Sequence, residues 1–254
     1  FRADLGYLPQ VGYRNVEGGV NYTWNAPPQA WWANFRAGGE VSYTADEDGD
    51  LLNRRFAGWF LYNGVRQSQF FFRGTRYRAA YGGREFDMNL FSFSGGFWPT
   101  GNLEVWAGAA IADHIDFANV RPAKLRNLDV SLLAHLGEHV RFNVSHTYER
   151  MTVYDERLYT ANISQLAAYY HLSIRTFFRA IIQYVDYDYN PANYTFEIDS
   201  RYRHFFTQFL FSYKINPRTM LYLGYSDNYN GDQKIPLTQS SRTFFVKLGY
   251  AWRL

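Results

Sequence analysis

Apolar and polar side chains alternate with a period of two along almost the whole chain. That period marks strands with two unlike faces. The last segment is the clearest. Phe244, Val246, Leu248, Tyr250, Trp252 and Leu254 fall on one side, and Thr243, Phe245, Lys247, Gly249, Ala251 and Arg253 on the other. Residues 139–148 repeat it, with Val140, Phe142, Val144 and Tyr148 against Arg141, Asn143, Ser145 and Thr147. In 35–44, Phe35, Ala37, Val41 and Tyr43 oppose Arg36, Glu40, Ser42 and Thr44.

Fourteen such segments are expected, at about 1–9, 14–24, 31–45, 52–63, 64–80, 84–98, 102–113, 124–136, 139–150, 158–172, 175–187, 201–214, 217–228 and 240–254. Both sides look apolar in 52–63 and 86–93, and 163–171 is also readable as a short helix. The connections alternate in length. Tight turns are expected at Asn25–Gln29, Asn63–Gly64, Pro99–Asn102, Gly137–Glu138, Ser173–Ile174 and Ile215–Pro217. Longer polar links are expected near 9–13, 45–51, 80–85, 113–123, 150–157, 187–200 and 228–239. A soluble meander has no reason to collect its long loops at one end. An outer-membrane barrel does, with short periplasmic turns and long outer loops.

Composition supports the same class. Aromatic residues make up 20% of the chain, with 22 Phe, 22 Tyr and 7 Trp. Mean hydropathy is nevertheless -0.39. Alternate residues facing lipid and a polar lumen reconcile the two values. No stretch approaches the roughly 20 apolar residues of a membrane-spanning helix. In hydrocarbon every backbone N–H and C=O needs a partner within the protein, so the sheet must close. Trp24, Trp31, Trp32, Trp98 and Trp252 lie at expected periplasmic strand ends, where indole favours the interface. The expected fold is an all-β antiparallel transmembrane barrel of about 14 strands, one domain over 1–254. Closure requires strand 1–9 to pair with 240–254. The other reading makes residues 1–254 one wall of a larger barrel.

The C-terminal residues Lys247, Gly249, Trp252 and Leu254 follow a polar-x-Gly-x-x-aromatic-x-apolar pattern. This resembles the signal read by the outer-membrane barrel assembly machinery, with Leu254 in place of the usual terminal aromatic. A wider resemblance rests on Asn216-Pro217-Arg218-Thr219, Leu223-Gly224-Tyr225-Ser226-Asp227-Asn228, Leu237-Thr238-Gln239 and Arg242–Trp252. These look like the end of an uncharacterised family in which a domain similar to carbohydrate-binding family 9 precedes an outer-membrane barrel. Ala3-Asp4-Leu5-Gly6-Tyr7 is similar to a stretch within that barrel region. The resemblance implies an outer-membrane location in a Gram-negative bacterium and longer relatives. It implies no reaction.

Parity assigns Arg36, Glu40, Arg73, Glu104, Asp129, Arg141, Arg175, Arg179, Lys214 and Lys247 to the lumen, along with Arg2, Asp4, Glu17 and Arg253. Arginine predominates, which favours anions if the lumen is open; cross-lumen pairing would instead plug it. The loop Asp46-Glu47-Asp48-Gly49-Asp50 and the cluster Asp227, Asn228, Asn230 and Asp232 carry the oxygens calcium uses. Both lack the full loop signature and read as solvated acidic loops. Zero cysteines exclude thiolate metal sites and a Cys nucleophile. Ser145 and His146 are adjacent and so face opposite ways, and Asp113-His114 has no partner Ser by parity. No catalytic site, metal or cofactor is expected. Tyr154, Tyr159, Tyr187, Tyr189, Tyr194 and Tyr229 read as an outer aromatic belt, with stacking on sugars as the other reading. A net charge of +3, scattered along the chain, gives no case for nucleic acid. The expected function is a pore for small polar solutes. The alternative is a barrel that anchors an N-terminal domain or docks a periplasmic or surface protein. The expected partners are outer-membrane lipid and the assembly machinery.

Overall fold

The computed structural model describes residues 12–251. They form a 13-stranded sheet whose order follows the chain from first strand to last. The strands are β1 (Tyr13–Asn25), β2 (Trp32–Asp46), β3 (Leu51–Gly64), β4 (Gln69–Tyr81), β5 (Arg84–Thr100), β6 (Leu103–Asp116), β7 (Arg121–Leu136), β8 (Val140–Val153), β9 (Glu156–Ser173), β10 (Thr176–Tyr189), β11 (Arg201–Asn216), β12 (Thr219–Asp232) and β13 (Thr238–Tyr250). The count is thirteen rather than fourteen. Each expected segment from 14–24 to 240–254 has its strand. Segment 1–9, and with it the pairing to the last strand, lies outside the described residues.

Residues 163–171 are strand, not helix, because β9 is laddered on both sides, to β8 and to β10. Strand lengths run from 13 to 18 residues, more than the roughly 9–11 a tilted strand needs to cross a membrane.

The contrast between short and long connections is weaker than expected. The links after β4 and β8 are two-residue hairpins at Gly82–Gly83 and Tyr154–Asp155. All four residues have positive φ (59°, 75°, 52° and 64°), which matches the twist of the flanking strands. The glycines of 82–83 mark such a turn openly, whereas Tyr154 does not. The turn expected at Asn63–Gly64 falls later, on a short 3₁₀ turn at Val65–Gln67. The 190–200 link is long, as expected.

The chain divides into two compact units, Phe1–Ser94 with Ala110–Leu125, and Gly95–Ala109 with Arg126–Leu254. In unit 1 the register sets rows across β1–β4. Trp24, Phe35, Tyr62 and Phe70 form one row, and Tyr22, Ala37, Phe60 and Phe72 the next. Above these, Val20, Gly39, Gly58 and Gly74 lie side by side, and the missing side chains leave a groove of about 760 Å³. Then the face turns charged at Arg54, Arg76 and Arg78, with Arg78 bonded to Asp87 at 2.7 Å. The other face carries Thr23, Arg36, Glu40, Ser42, Arg55 and Arg73.

This register explains the two doubly apolar stretches. On β3, Phe56, Phe60 and Tyr62 belong to the apolar rows, while Trp59 lies flat over Gly38 on the opposite face. A Cβ at Gly38 would sit 2.5 Å from the indole. On β5, Phe86 and Met88 are buried in a cluster with Ile115, against Tyr77, Ala79 and Val120.

Unit 2 repeats the division. One row across β8–β13 is Phe142, Ala168, Ala180, Phe209, Tyr225 and Phe244, and the row below it Val140, Tyr170, Phe178, Phe211, Leu223 and Val246. Inside the sheet, members of these rows are turned to the surroundings: Tyr170 is 44% exposed, Phe178 43% and Phe209 48%. Above them the same face changes to Asp227 and Arg242, and to Asp186 and Arg201, paired at 2.7 Å.

Candidate functional site

The polar faces of the two units carry the charges that parity assigned inward. In unit 1, Glu40 on β2 sits between two arginines. It forms an ion pair with Arg73 of β4, and Arg55 of β3 lies 3.4 Å away. Strand pairing places the three residues on neighbouring strands of one face, so the cluster follows from the register. Arg73 also donates through Nε to Thr75 at 3.2 Å, and Arg36 to Thr23 at 3.2 Å. The charge of Glu40 is thus matched within the sheet. Sequence reasoning missed Arg55 because β3 looked apolar on both sides. Glu17 shares this face, opposite Ser42.

In unit 2 the cations have different company. Arg141 of β8 lies over the ring of Tyr169, 4.4 Å from its centroid. Arg179 of β10 donates through Nη2 to Gln208 at 2.7 Å, and its buried Nε has no hydrogen-bond partner among the described residues. Gln183 donates to Gln165 at 3.3 Å two rows further along the same face, and the guanidinium itself is bonded to an amide rather than to a carboxylate among the described residues. Lys214 and Lys247 lie on the same face, opposite Met220 and Tyr222 of β12. Asp129 of β7 accepts from the Thr147 hydroxyl at 2.7 Å. Glu104 is half-buried, second in β6.

Arg175 departs from its expected place. It falls in the turn between β9 and β10 and is exposed, so it lines no strand face. The reason is the turn chemistry of Ser173, whose hydroxyl accepts from the Arg175 N–H at 3.2 Å. Of the assembly-signal residues, Lys247 and Gly249 are in β13. Trp252 and Leu254 lie outside the described residues, as do Arg2, Asp4 and Arg253.

The expected tyrosine belt is divided. Tyr159, Tyr187 and Tyr189 come together, but on the polar face. Tyr187 shares the parity of Arg179 and Gln183 on β10, and Tyr159 stands opposite Tyr189. The Tyr159 hydroxyl donates to Glu149 at 2.6 Å. Tyr194 packs on Tyr189 from the 190–200 loop. Tyr229 belongs elsewhere. Its hydroxyl and that of Tyr225 donate to Asp227 at 3.2 and 2.8 Å, and Gln239 and Arg242 complete the set.

That arrangement commits Asp227 to hydrogen bonds, and no group of three or more metal-ligating side chains occurs among the described residues. In the acidic loop, Asp46 accepts from the Asp50 N–H at 2.7 Å, which closes the turn. In Asp113-His114, Asp113 accepts from Asn89 at 2.9 Å, and the His114 Nδ1 bonds to the Ile115 carbonyl at 2.9 Å. One contact escaped parity reasoning within a single strand. His146 of β8 meets Ser164 of β9 at 2.8 Å, on the apolar face.

No known family matches the sequence, and no curated protein matches it. Among solved structures the chain is similar to OmpT, an outer membrane protein of Vibrio cholerae. Identity is 10% over 94% of this chain and 96% of that one, with a TM-score of 0.46. It is also similar to the NanC porin, at 10% identity over 94% and 99% of the two chains and a TM-score of 0.35. A third is an anion-selective porin from Comamonas acidovorans, at 10% identity over 92% and 87%, with a TM-score of 0.42.

Proposed function

We propose that the sheet closes as a transmembrane β-barrel in the outer membrane of a Gram-negative bacterium, and that its polar face lines a passage for small polar solutes. One observation carries the membrane reading. In each unit, one face bears rows of exposed aromatic and aliphatic side chains that end abruptly in charge. In water such a band is a large unsatisfied apolar patch; against lipid it is the required surface. The same lipid would demand closure, since a free strand edge leaves unpaired N–H and C=O groups at several kcal/mol each. Lys247, Gly249, Trp252 and Leu254 would supply the contact with the assembly machinery.

The passage reading draws on the polar face of unit 2. Arg141 and Arg179 meet no carboxylate among the described residues, so a water-filled lumen would keep their charge available to anions. A second reading, an anchor or docking barrel for a partner protein or preceding domain, has its own support. The cluster of Phe86, Met88 and Ile115 fills polar-face space in unit 1.

Planar-bilayer recording separates the two. Discrete, stable conductance steps from folded protein support a pore. Their absence, with the protein inserted and heat-modifiable on gels, supports the anchor.

A further inference from the structure

The polar face of unit 2 changes character along its length. Its turn-side half carries Arg141, Arg179 and Lys214. Its loop-side half carries tyrosine. Tyr187 and Tyr189 are nearly parallel, 9° apart with centroids at 5.6 Å. Tyr159 stands 6.0 Å from Tyr187 and 6.1 Å from Tyr189. Tyr202 extends the group across β11, 6.4 Å from Tyr187, and Tyr194 extends it into the 190–200 loop, 6.0 Å from Tyr189. Phe196 ends the run, 5.5 Å from Tyr194.

We infer that this tyrosine group binds a neutral saccharide, with sugar rings stacking on the phenol faces, so that the solutes of the proposed passage include oligosaccharides. The inference rests on the passage reading for its transport role, but the binding does not require conduction.

Three observations carry it. First, the rings project from the polar face, opposite the rows that would meet lipid. Interfacial anchoring therefore gives no account of them. Second, the group is not a sealed core. Tyr202 is 41% exposed and Phe196 51%, and Tyr159, Tyr187 and Tyr189 are half-buried. An aromatic ring that keeps one face in water, with a hydroxyl at its rim, suits a ligand with apolar C–H faces and polar edges.

Third, the charge is wrong for an anionic solute. On β8–β11 the loop-side half of this face carries Glu149 and no cation among the described residues. The other polar groups are uncharged or weakly basic: Gln183, and His204 bonded to Asn230 at 2.9 Å. The Glu149 carboxylate, already oriented by the Tyr159 hydroxyl, has oxygen lone pairs left to accept from sugar hydroxyls. Polyols, which donate and accept without charge, match this set.

The test uses the full chain in detergent, titrated with maltohexaose, cellohexaose and mannohexaose, with saturation-transfer NMR and calorimetry as readouts. Wild type is expected to bind at least one probe. Tyr187→Ala and Tyr189→Ala should weaken it by about tenfold, and Tyr187→Phe, which keeps the ring, by much less. Tyr213→Ala, on the apolar face of the same strand pair, is expected to bind as wild type does. Heat modifiability on gels checks that each variant is folded. No binding of any probe, or equal loss in Tyr213→Ala, overturns the inference. Bilayer recording then separates it from the passage reading. Conductance without saccharide binding sinks the inference alone, and binding without conductance sinks the passage alone.

Discussion

The two units solve the same problem, charged side chains on one face of a strand, in opposite ways. In unit 1, Glu40 is flanked by Arg55 and Arg73, so a carboxylate ties neighbouring strands together and offsets one of two guanidinium charges. In unit 2, Arg141 rests on Tyr169 and Arg179 on Gln208, so charge is held in place but not neutralised. A carboxylate partner locks strands together and removes the field. An amide or an aromatic ring orients a guanidinium and leaves the field intact. Under the proposed passage, the unit 2 cations that meet no carboxylate would favour anions, while unit 1 holds a cross-strand clamp.

The largest expected effect falls on what the two units share, the apolar face. Leu248→Lys should hinder insertion by roughly 2–4 kcal/mol near the bilayer midplane, while Lys247→Leu, one residue away on the other face, should insert as wild type does into vesicles that hold no assembly machinery. Urea-refolding titration into lipid vesicles measures both. Equal behaviour of the pair would remove the basis for comparing polar faces at all.

Next is the clamp. Glu40→Ala leaves Arg55 and Arg73 without their carboxylate and should cost about 1–3 kcal/mol of folding stability. It should also raise anion preference in a salt-gradient reversal potential, because unit 1 then resembles unit 2. Glu40→Gln should recover part of the stability and none of the selectivity, since an amide accepts hydrogen bonds without charge.

Arg179→Ala should shift the reversal potential toward cations with a stability change of about 1 kcal/mol or less, because one hydrogen bond to Gln208 is lost while an unpartnered Nε is relieved. A shift no larger than that of Arg55→Ala, whose guanidinium lies against Glu40 in unit 1, would contradict the division between the units.

The smallest effect concerns the β12–β13 turn. Asp232 accepts from the N–H groups of Lys234 and Ile235, both at 2.7 Å, which holds its carboxyl below the usual carboxylate range. A depressed folded value means the contribution is present above the ordinary value of about 3.9 and is lost as pH falls through the lower folded value. Hydrogen exchange at Lys234 and Ile235, corrected for intrinsic rate, should therefore quicken in acid. In Asp232→Ala it should be fast at every pH.

Period-two alternation made the strands legible because an antiparallel sheet with one lipid-like and one polar face repeats the signal in every strand. It failed where a residue's role depends on its neighbour across the ladder. Trp59 reads as apolar, yet it covers Gly38 on the polar face; the signal, a glycine directly opposite a tryptophan, exists only once the register is known. Arg55 was hidden in the same strand. Tyr187 and Tyr189 read as belt residues because Tyr is common at interfaces, although counting forward from Arg179 by twos puts them with it. Arg175 was miscounted because hydroxyl-capped turns interrupt parity, and the two-residue hairpin at Tyr154–Asp155 carries no glycine to announce it.

The central claim is that alternate residues of each strand meet lipid and water. The chain contains no cysteine, so single-cysteine scanning needs no background correction. Cysteines placed one at a time at 243–248 of β13, in protein folded into vesicles, would be offered a membrane-impermeant maleimide and, separately, a lipid-borne quencher of a thiol-attached fluorophore. The account predicts strict alternation. Positions 244, 246 and 248 should be quenched by lipid and slow to label, and 243, 245 and 247 labelled from water and shielded from the quencher. Uniform labelling at all six, or quenching without alternation, would contradict it.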